Sequence, residues 1–478
     1  MYRMCTRCVR CMPNHQRPSK MPLNIPFDTT YLTLPARFYS KLDAAPVSAP
    51  NLIVFNHALA AELGLDTSGM TDEDAANLFS GNDIPDNATP FAQVYAGHQF
   101  GGFSAQLGDG RALHLGEINT PSGRVDIQLK GSGPTPYSRN GDGRAWVGPV
   151  LREYLMSCAM HALDIPTTKV LAAVTTGDSI GREQGRLPGA ILTRVAASHI
   201  RVGTFQYFAA QRDVEALKML TEYTINRHYP DAKDPLQLFE MVMQKHATLV
   251  AKWTSVGFIH GVMNTDNVAI AGETIDYGPC AFIDSYHPDT VFSSIDRQGR
   301  YAYSNQGPIT HWNLAQFATS LVQIMPDTDT AVEDFTARLN QFPTLFDYEW
   351  AKAFAPKLGL PQNDDTTALA KDLLVHMADA GADFTNTFNA LDETETAYPD
   401  WHATWRAAKP NDALWRKTNP AIIPRTHKIE QAITAATIGN FAPFHAMLAA
   451  LQDPFTPNAD YAHPPKEAEK IHQTFCGT

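Results

Sequence analysis

The chain changes its hydrophobic period once, near residue 205, and that change limits the folds open to it. Before it, short runs at 112–115 and 125–130 alternate apolar and polar side chains, as half-buried strands do, and the apolar-rich runs 170–176 and 190–196 also read as strands. After it, apolar residues recur at three and four over 204–227, 234–256, 312–325, 331–341 and much of 345–452, the spacing of amphipathic helices. The expectation is an α+β chain of two lobes: sheet-rich 22–204, helix-rich 205–465, and a mobile tail over 466–478. One helix belongs to the first lobe, over 147–162, with Val150, Leu151, Tyr154, Leu155 and Cys158 on one face. Asn56 is placed to cap another. The polar stretch with Gly181 and Gly185 reads as a turn between the last two strands.

Composition narrows the partners. With 44% hydrophobic and 18% charged residues, the 478-residue chain has the makings of a packed globule. A net charge of −12 argues against broad binding to nucleic acid or anionic membrane. No apolar run approaches the roughly 20 residues of a spanning helix. Six cysteines are too few for a disulfide scaffold and suit a reducing compartment. Residues 1–21 are basic and carry Cys5, Cys8, Cys11 and His15, ligand types that can bind zinc. They lack the apolar residues to build a knuckle, so disorder is expected there. The compartment expected is the cytoplasm, or the mitochondrion if this leader is a genuine transit peptide.

The chemistry concentrates at His260-Gly-Val-Met-Asn-Thr-Asp266-Asn267, closed by Asp276-Tyr-Gly278. The loop follows a helical run and precedes an apolar stretch, 268–270, that reads as a strand. Protein kinases use H-R-D-x-x-x-x-N and then D-F-G. His260 and Asn267 keep that spacing, and Asp276-Tyr-Gly stands for D-F-G. Val262 occupies the position of the catalytic Asp and can accept no proton. Amide and carboxylate oxygens are ligands that Mg²⁺ prefers, so Asn267 and Asp276 are candidate metal ligands. Asp266 is the nearest candidate base. An Asn/Asp-rich turn after a helix accounts for the same residues without chemistry.

Upstream, Gly97, Gly101, Gly102, Gly108, Gly110 and Gly116 crowd one stretch, with Arg111 beside them. Glycine lets backbone N–H groups approach a phosphate, though such turns also arise for steric reasons. Lys130 ends a strand, as the phosphate-binding kinase lysine does, or snorkels at the surface. Glu153 on the following helix could pair with it, or face solvent. Arg194 and Arg201 offer forked contacts to phosphate oxygens, or serve solubility.

In order along the chain, Tyr95-Ala-Gly-His-Gln-Phe-Gly-Gly-Phe, Gln128-Leu-Lys-Gly-Ser-Gly-Pro-Thr-Pro-Tyr-Ser-Arg, Arg152-Glu-Tyr-Leu, His260-Gly-Val-Met-Asn-Thr-Asp-Asn and Ile275-Asp-Tyr-Gly-Pro make the chain resemble the selenoprotein O family of pseudokinase-fold protein adenylyltransferases. The resemblance runs from about Phe38 to the terminus. It implies a bilobal kinase-like fold and transfer of AMP from ATP to a protein Ser, Thr or Tyr hydroxyl, with pyrophosphate released. The nucleotide would bind in reverse of the kinase pose, and UTP could serve as a second donor. It assigns Gly108, Gly110, Arg111, Lys130, Asp142, Gly143, Arg194, Arg201 and Asp276 to the nucleotide and Glu153 to the hold on Lys130. Asn267 and Asp276 would take Mg²⁺ or Mn²⁺, with Asp266 as the base. A monomer is expected, with no nucleic-acid or membrane partner. Cys476 fits members that carry Cys or selenocysteine near the C-terminus, and a disulfide with Cys280 would pin the tail over the cleft. Two unrelated thiols are the plainer reading. A conventional kinase and a nucleotide-sensing scaffold are the competing readings of the whole.

Overall fold

The computed structural model describes residue 23, residues 25–471 and residues 473 and 474. The leader cysteines Cys5, Cys8 and Cys11, with His15, and also Cys476, lie outside the described residues.

The first part of the chain supplies ten strands: β1 (Tyr39–Lys41), β2 (Asn51–Phe55), β3 (Phe91–Gln93), β4 (Gly97–Gln99), β5 (Gly102–Ser104), β6 (Ala112–Thr120), β7 (Gly123–Lys130), β8 (Ala145–Trp146), β9 (Lys169–Arg182) and β10 (Gly185–Ala196). Seven of them form one antiparallel sheet in the order β1-β3-β6-β7-β10-β9-β2, with β8 paired to β10. β4 and β5 stand apart as a small hairpin.

The sheet is covered on both faces. Ile127, Leu129, Val174 and Ile191 pack with Leu59 of α1 (His57–Glu62) and with Leu78 and Phe79 of α2 (Asp72–Ser80). Ala190 and Leu192 point the other way and pack with Leu151 and Leu155 of α3 (Val147–Ala162). Truncating one such leucine to alanine costs roughly 2–5 kcal/mol. α3 keeps the limits its periodicity predicts, and Asn56 caps α1 by accepting from Leu59 N. α3 also packs against the late helix Thr426–Thr437, tying the sheet to the helical part.

Helices then dominate: α4 (Val202–Ala210), α5 (Val214–His228), α6 (Pro235–Ser255), α7 (Gln306–Val322), α8 (Thr328–Leu339) and α9 (Phe342–Phe354), with further helices to residue 462. The sheet-rich first part and helical remainder make a kinase-like α+β fold. Among the described residues no helix is long and apolar enough to cross a membrane.

Four expectations are corrected. The helix expected over 204–227 is two, because Arg212 turns left-handed (φ 56°) and Asp213 caps a new start at Ala216 N. The polar turn around Gly181 and Gly185 is mostly strand, since ladder hydrogen bonds suffice where both faces meet water. Residues 268–270 are not a strand: they make one bridge, Arg201 with Ala269, beside the bonds Val202 N to Val268 O and Ile270 N to Ile200 O. The strands closing the site loop are instead β11 (Phe258–Ile259) and β12 (Ala281–Phe282). Finally, β7 is not half-exposed, since Asp126 and Gln128 are as buried as the apolar residues between them.

Candidate active site

A cleft of ≈ 740 Å³ opens between the sheet and the helical part. The turn before β6 lends Gly108, Gly110 and Arg111 to its wall, and the loop between β7 and β8 lends Asp142 and Gly143. Gly108 (φ 113°) passes so close to Tyr137 that a β-carbon would fall 2.5 Å from the ring. The eleven residues predicted to act on nucleotide, metal or proton all line this cleft, as does Glu153, predicted to hold Lys130.

At its floor, two carboxylates and three cations interlock. Lys130 Nζ, at the end of β7, donates to Glu153 Oε2 at 2.6 Å and to Asp276 Oδ1 at 2.7 Å. Arg194 Nη1, on β10, donates to Asp276 Oδ1 at 2.6 Å and to Glu153 Oε1 at 3.4 Å. Arg201 Nη1, at the start of α4, donates to Asp276 Oδ2 at 2.8 Å, and its guanidinium lies 4.6 Å over the Tyr95 ring. Arg194 and Arg201 are 1% and 2% exposed, so neither serves solubility. Burial alone would raise the pKa of Asp276, but Lys130, Arg194 and Arg201 outweigh it and hold the carboxyl well below its usual range. Asp109 Oδ1 lies 4.0 Å from Arg201 Nη2 as a further carboxylate, and the three cations gathered here suit a phosphate chain.

The loop after β11 is held from several sides. His260 is buried, with Nε2 2.8 Å from Ile275 O. Asn267 donates its amide nitrogen to Val262 O, which turns the amide oxygen away as its available ligand atom. Asn264 Oδ1 accepts from Phe100 N and Tyr301 Oη, and Thr265 Oγ1 accepts from His98 N. The β4–β5 hairpin therefore clamps the loop. From that hairpin Gln99 Nε2 donates to Asp266 Oδ2 at 3.1 Å, while Asp266 Oδ1 is buried without a hydrogen-bond partner. Burial raises the pKa of Asp266 to about 6, against the pull of Arg201 and the Gln99 bond. Asp276 sits at φ 62°, a left-handed backbone that Asp and Asn tolerate better than most residues.

Sequence reading missed several residues here. Arg182, the last residue of β9, makes a forked contact with Asp142 at 2.8 and 3.1 Å, and also donates to Arg144 O. Gln99 belongs to a quoted motif, but nothing local shows that it reaches Asp266. Behind the floor lies a buried polar layer. Arg227 Nη2 donates to Asp126 Oδ1 at 2.6 Å, His199 Nδ1 lies 3.0 Å from Asp126 Oδ2, and His114 Nε2 lies 3.2 Å from Asp109 Oδ2. Ligand atoms of His114, Asp126 and His199 fall within 4.8 Å of one another, a set able to hold a metal ion. The ion pair with Arg227 already compensates the Asp126 charge.

Cys280 is fully buried and does not line the cleft. Thr474, expected on a mobile tail, is 2% exposed; its Oγ1 donates to Pro279 O at 2.5 Å, and it bridges Ser293.

This fold and this cleft define a protein of the kinase-like class. Comparison makes the class narrower. The family described as Protein adenylyltransferase SelO matches residues 22–409, and the chain belongs to that family. It is 54% identical over 482 residues to "Protein nucleotidyltransferase YdiU" of Jannaschia sp. (strain CCS1), covering 96% of this chain and 100% of that one. Over 476 residues it is 54% identical to the protein of the same name from Ruegeria sp. (strain TM1040), with the same coverage. The counterpart from Rhodopseudomonas palustris (strain BisB18) is 50% identical over 492 residues, covering 96% of this chain and 100% of its own length.

Proposed function

We propose that the protein moves AMP from ATP to a Ser, Thr or Tyr hydroxyl of other proteins, with UTP as a second nucleotide donor. The observation that carries this reading is the exchange of carboxylates in the loop. Val262 stands where a kinase keeps its base, and Asp266 offers an unbonded buried oxygen beside Asn267. Family membership supports the same reaction.

In this reading Lys130, Arg194 and Arg201 transfer part of their contact from Asp276 to the phosphates, while Glu153 keeps Lys130 in place. Gly108 and Gly110 let the chain approach the nucleotide, with Arg111, Asp142 and Gly143 along its length. The donor set fits a hard divalent cation: an amide oxygen on Asn267 and a carboxylate on Asp276. Mg²⁺ or Mn²⁺ held there would neutralise phosphate charge. Asp266 Oδ1 accepts the proton of the acceptor hydroxyl. The hydroxyl oxygen bonds the α-phosphorus, the bond from that phosphorus to the pyrophosphate oxygen breaks, and pyrophosphate leaves with the electron pair. The fixed cations need no reorganisation as that charge develops.

Cys280 and Cys476 are kept as a redox pair: oxidation by an external disulfide, taking two electrons and two protons, would link them. The docking of Thr474 on Pro279, next to Cys280, supports this. A mass map of oxidised protein without the Cys280–Cys476 link would remove the idea. We place the enzyme in the cytoplasm, as a monomer, on its acidic balance and sparse cysteines.

One incubation tests the main reading. ATP labelled at the α-phosphate should mark the protein or an added acceptor. Label arriving only from the γ-phosphate would make it a kinase, and none from either would make it a scaffold.

A further inference from the structure

We propose that Gln128 is a positioning residue that aims Arg194 into the cleft. The proposal rests on the reading that Arg194 meets the triphosphate. Strand register puts the parts in one row: His114 of β6 stands opposite Gln128 of β7, which stands opposite Arg194 of β10. Directly paired side chains on one sheet face are neighbours.

Gln128 is fully buried and clamps one edge of the guanidinium. Its Oε1 accepts from Arg194 Nε at 3.1 Å and also from Nη2. That leaves Nη1 for Asp276 and Glu153 at the cleft floor. A guanidinium has donors only, so the amide must turn its oxygen toward Arg194. Its nitrogen then faces His114 Nε2 at 2.9 Å, a ring stacked on Phe91 at 4.7 Å. With the ring proton on Nδ1, the side facing Asp126 Oδ2 at 3.8 Å, His114 Nε2 accepts from the amide nitrogen, and the amide is then held at both ends. A carboxylate in its place would add a third anion to Arg194, beside Asp276 and Glu153; a neutral acceptor fixes the fork without adding one.

The test titrates MgATP by calorimetry into the full chain and into Gln128→Met, Arg194→Met and the double variant. Hydrogen bonds to charged groups carry enough energy that Gln128→Met should weaken MgATP about tenfold. Arg194→Met should weaken it at least as much. Because the two act as a unit, the double variant should bind within about twofold of Arg194→Met. In nitrogen–proton spectra the Arg194 Nε–H signal, assigned by its loss in Arg194→Met, should shift in Gln128→Met. Native affinity in Gln128→Met, or losses that multiply in full, would overturn the proposal. Native affinity in Arg194→Met would instead remove the triphosphate reading beneath it. Should Gln128→Met not fold, Gln128→Asn, one methylene too short to reach the fork, is judged by the same outcomes.

Discussion

Gly97 leaves room for Asp266: a β-carbon on Gly97 would lie 2.5 Å from Asp266 Oδ1. Gly97 does not need its own backbone freedom here, since its φ is not in the left-handed region. Its missing side chain is what matters. Gly97→Ala should therefore fold but push the carboxylate aside. A displacement near 1 Å can cost on the order of a hundredfold in turnover. Initial rates of α-label transfer should fall by that order while MgATP affinity holds; unchanged rates would dissociate Asp266 from the chemistry.

Asp276 should be indispensable in a different way. Asp276→Asn keeps a residue that tolerates φ 62° but withdraws the charge on which Lys130, Arg194 and Arg201 converge. We expect α-label transfer to vanish in Asp276→Asn and Asp276→Ala, and to fall sharply in Lys130→Ala. Full activity in Asp276→Ala would rule out its place in the metal and nucleotide site.

Arg182 should act on substrate affinity alone. Its pair with Asp142 is partly exposed, with side chains 15% and 46% accessible. Such pairs are worth up to about 1 kcal/mol. Arg182→Ala should raise KM for ATP about threefold, within that limit, and leave kcat close to native. A collapse of kcat would give Arg182 a role beyond holding Asp142.

Glu273 should make stability depend on pH. Burial raises its pKa to about 7, outweighing the hydrogen bond from Ala197 N and the charge of Lys245. The folded chain then holds a proton that the unfolded chain gives up near pH 4.5. Across that window the folded state binds more protons, so stability falls as pH rises. Glu273→Gln keeps an acceptor for Ala197 N and should raise the melting temperature at pH 8 by about 2–4 °C, with no gain at pH 4. An equal gain at both values would exclude the titration as its cause.

Much of this arrangement was legible because local rules carried it. The apolar spacing of Val150, Leu151, Tyr154 and Leu155 marks α3 and so places Glu153. The interval from His260 to Asn267 marks the loop. What escaped depends on partners remote in the chain. Asp126 and Gln128 alternate with Ile127 and Leu129 just as solvent-facing residues would; only their pairing with Arg227 and Arg194 reveals a second interior. Arg182 reads as a turn residue until the extended hairpin carries it to Asp142. The break at Arg212 is hidden because a helix cap in the middle of an apolar pattern does not interrupt the period.

The hold of Thr474 on Pro279 spans 195 positions along the chain. During synthesis, the wall of the cleft beside Asp276 gains this contact only after residue 474 has emerged. A copy cut short of Thr474 would carry every predicted nucleotide-site residue, the last of them Asp276, yet lack this hold on the wall beside them.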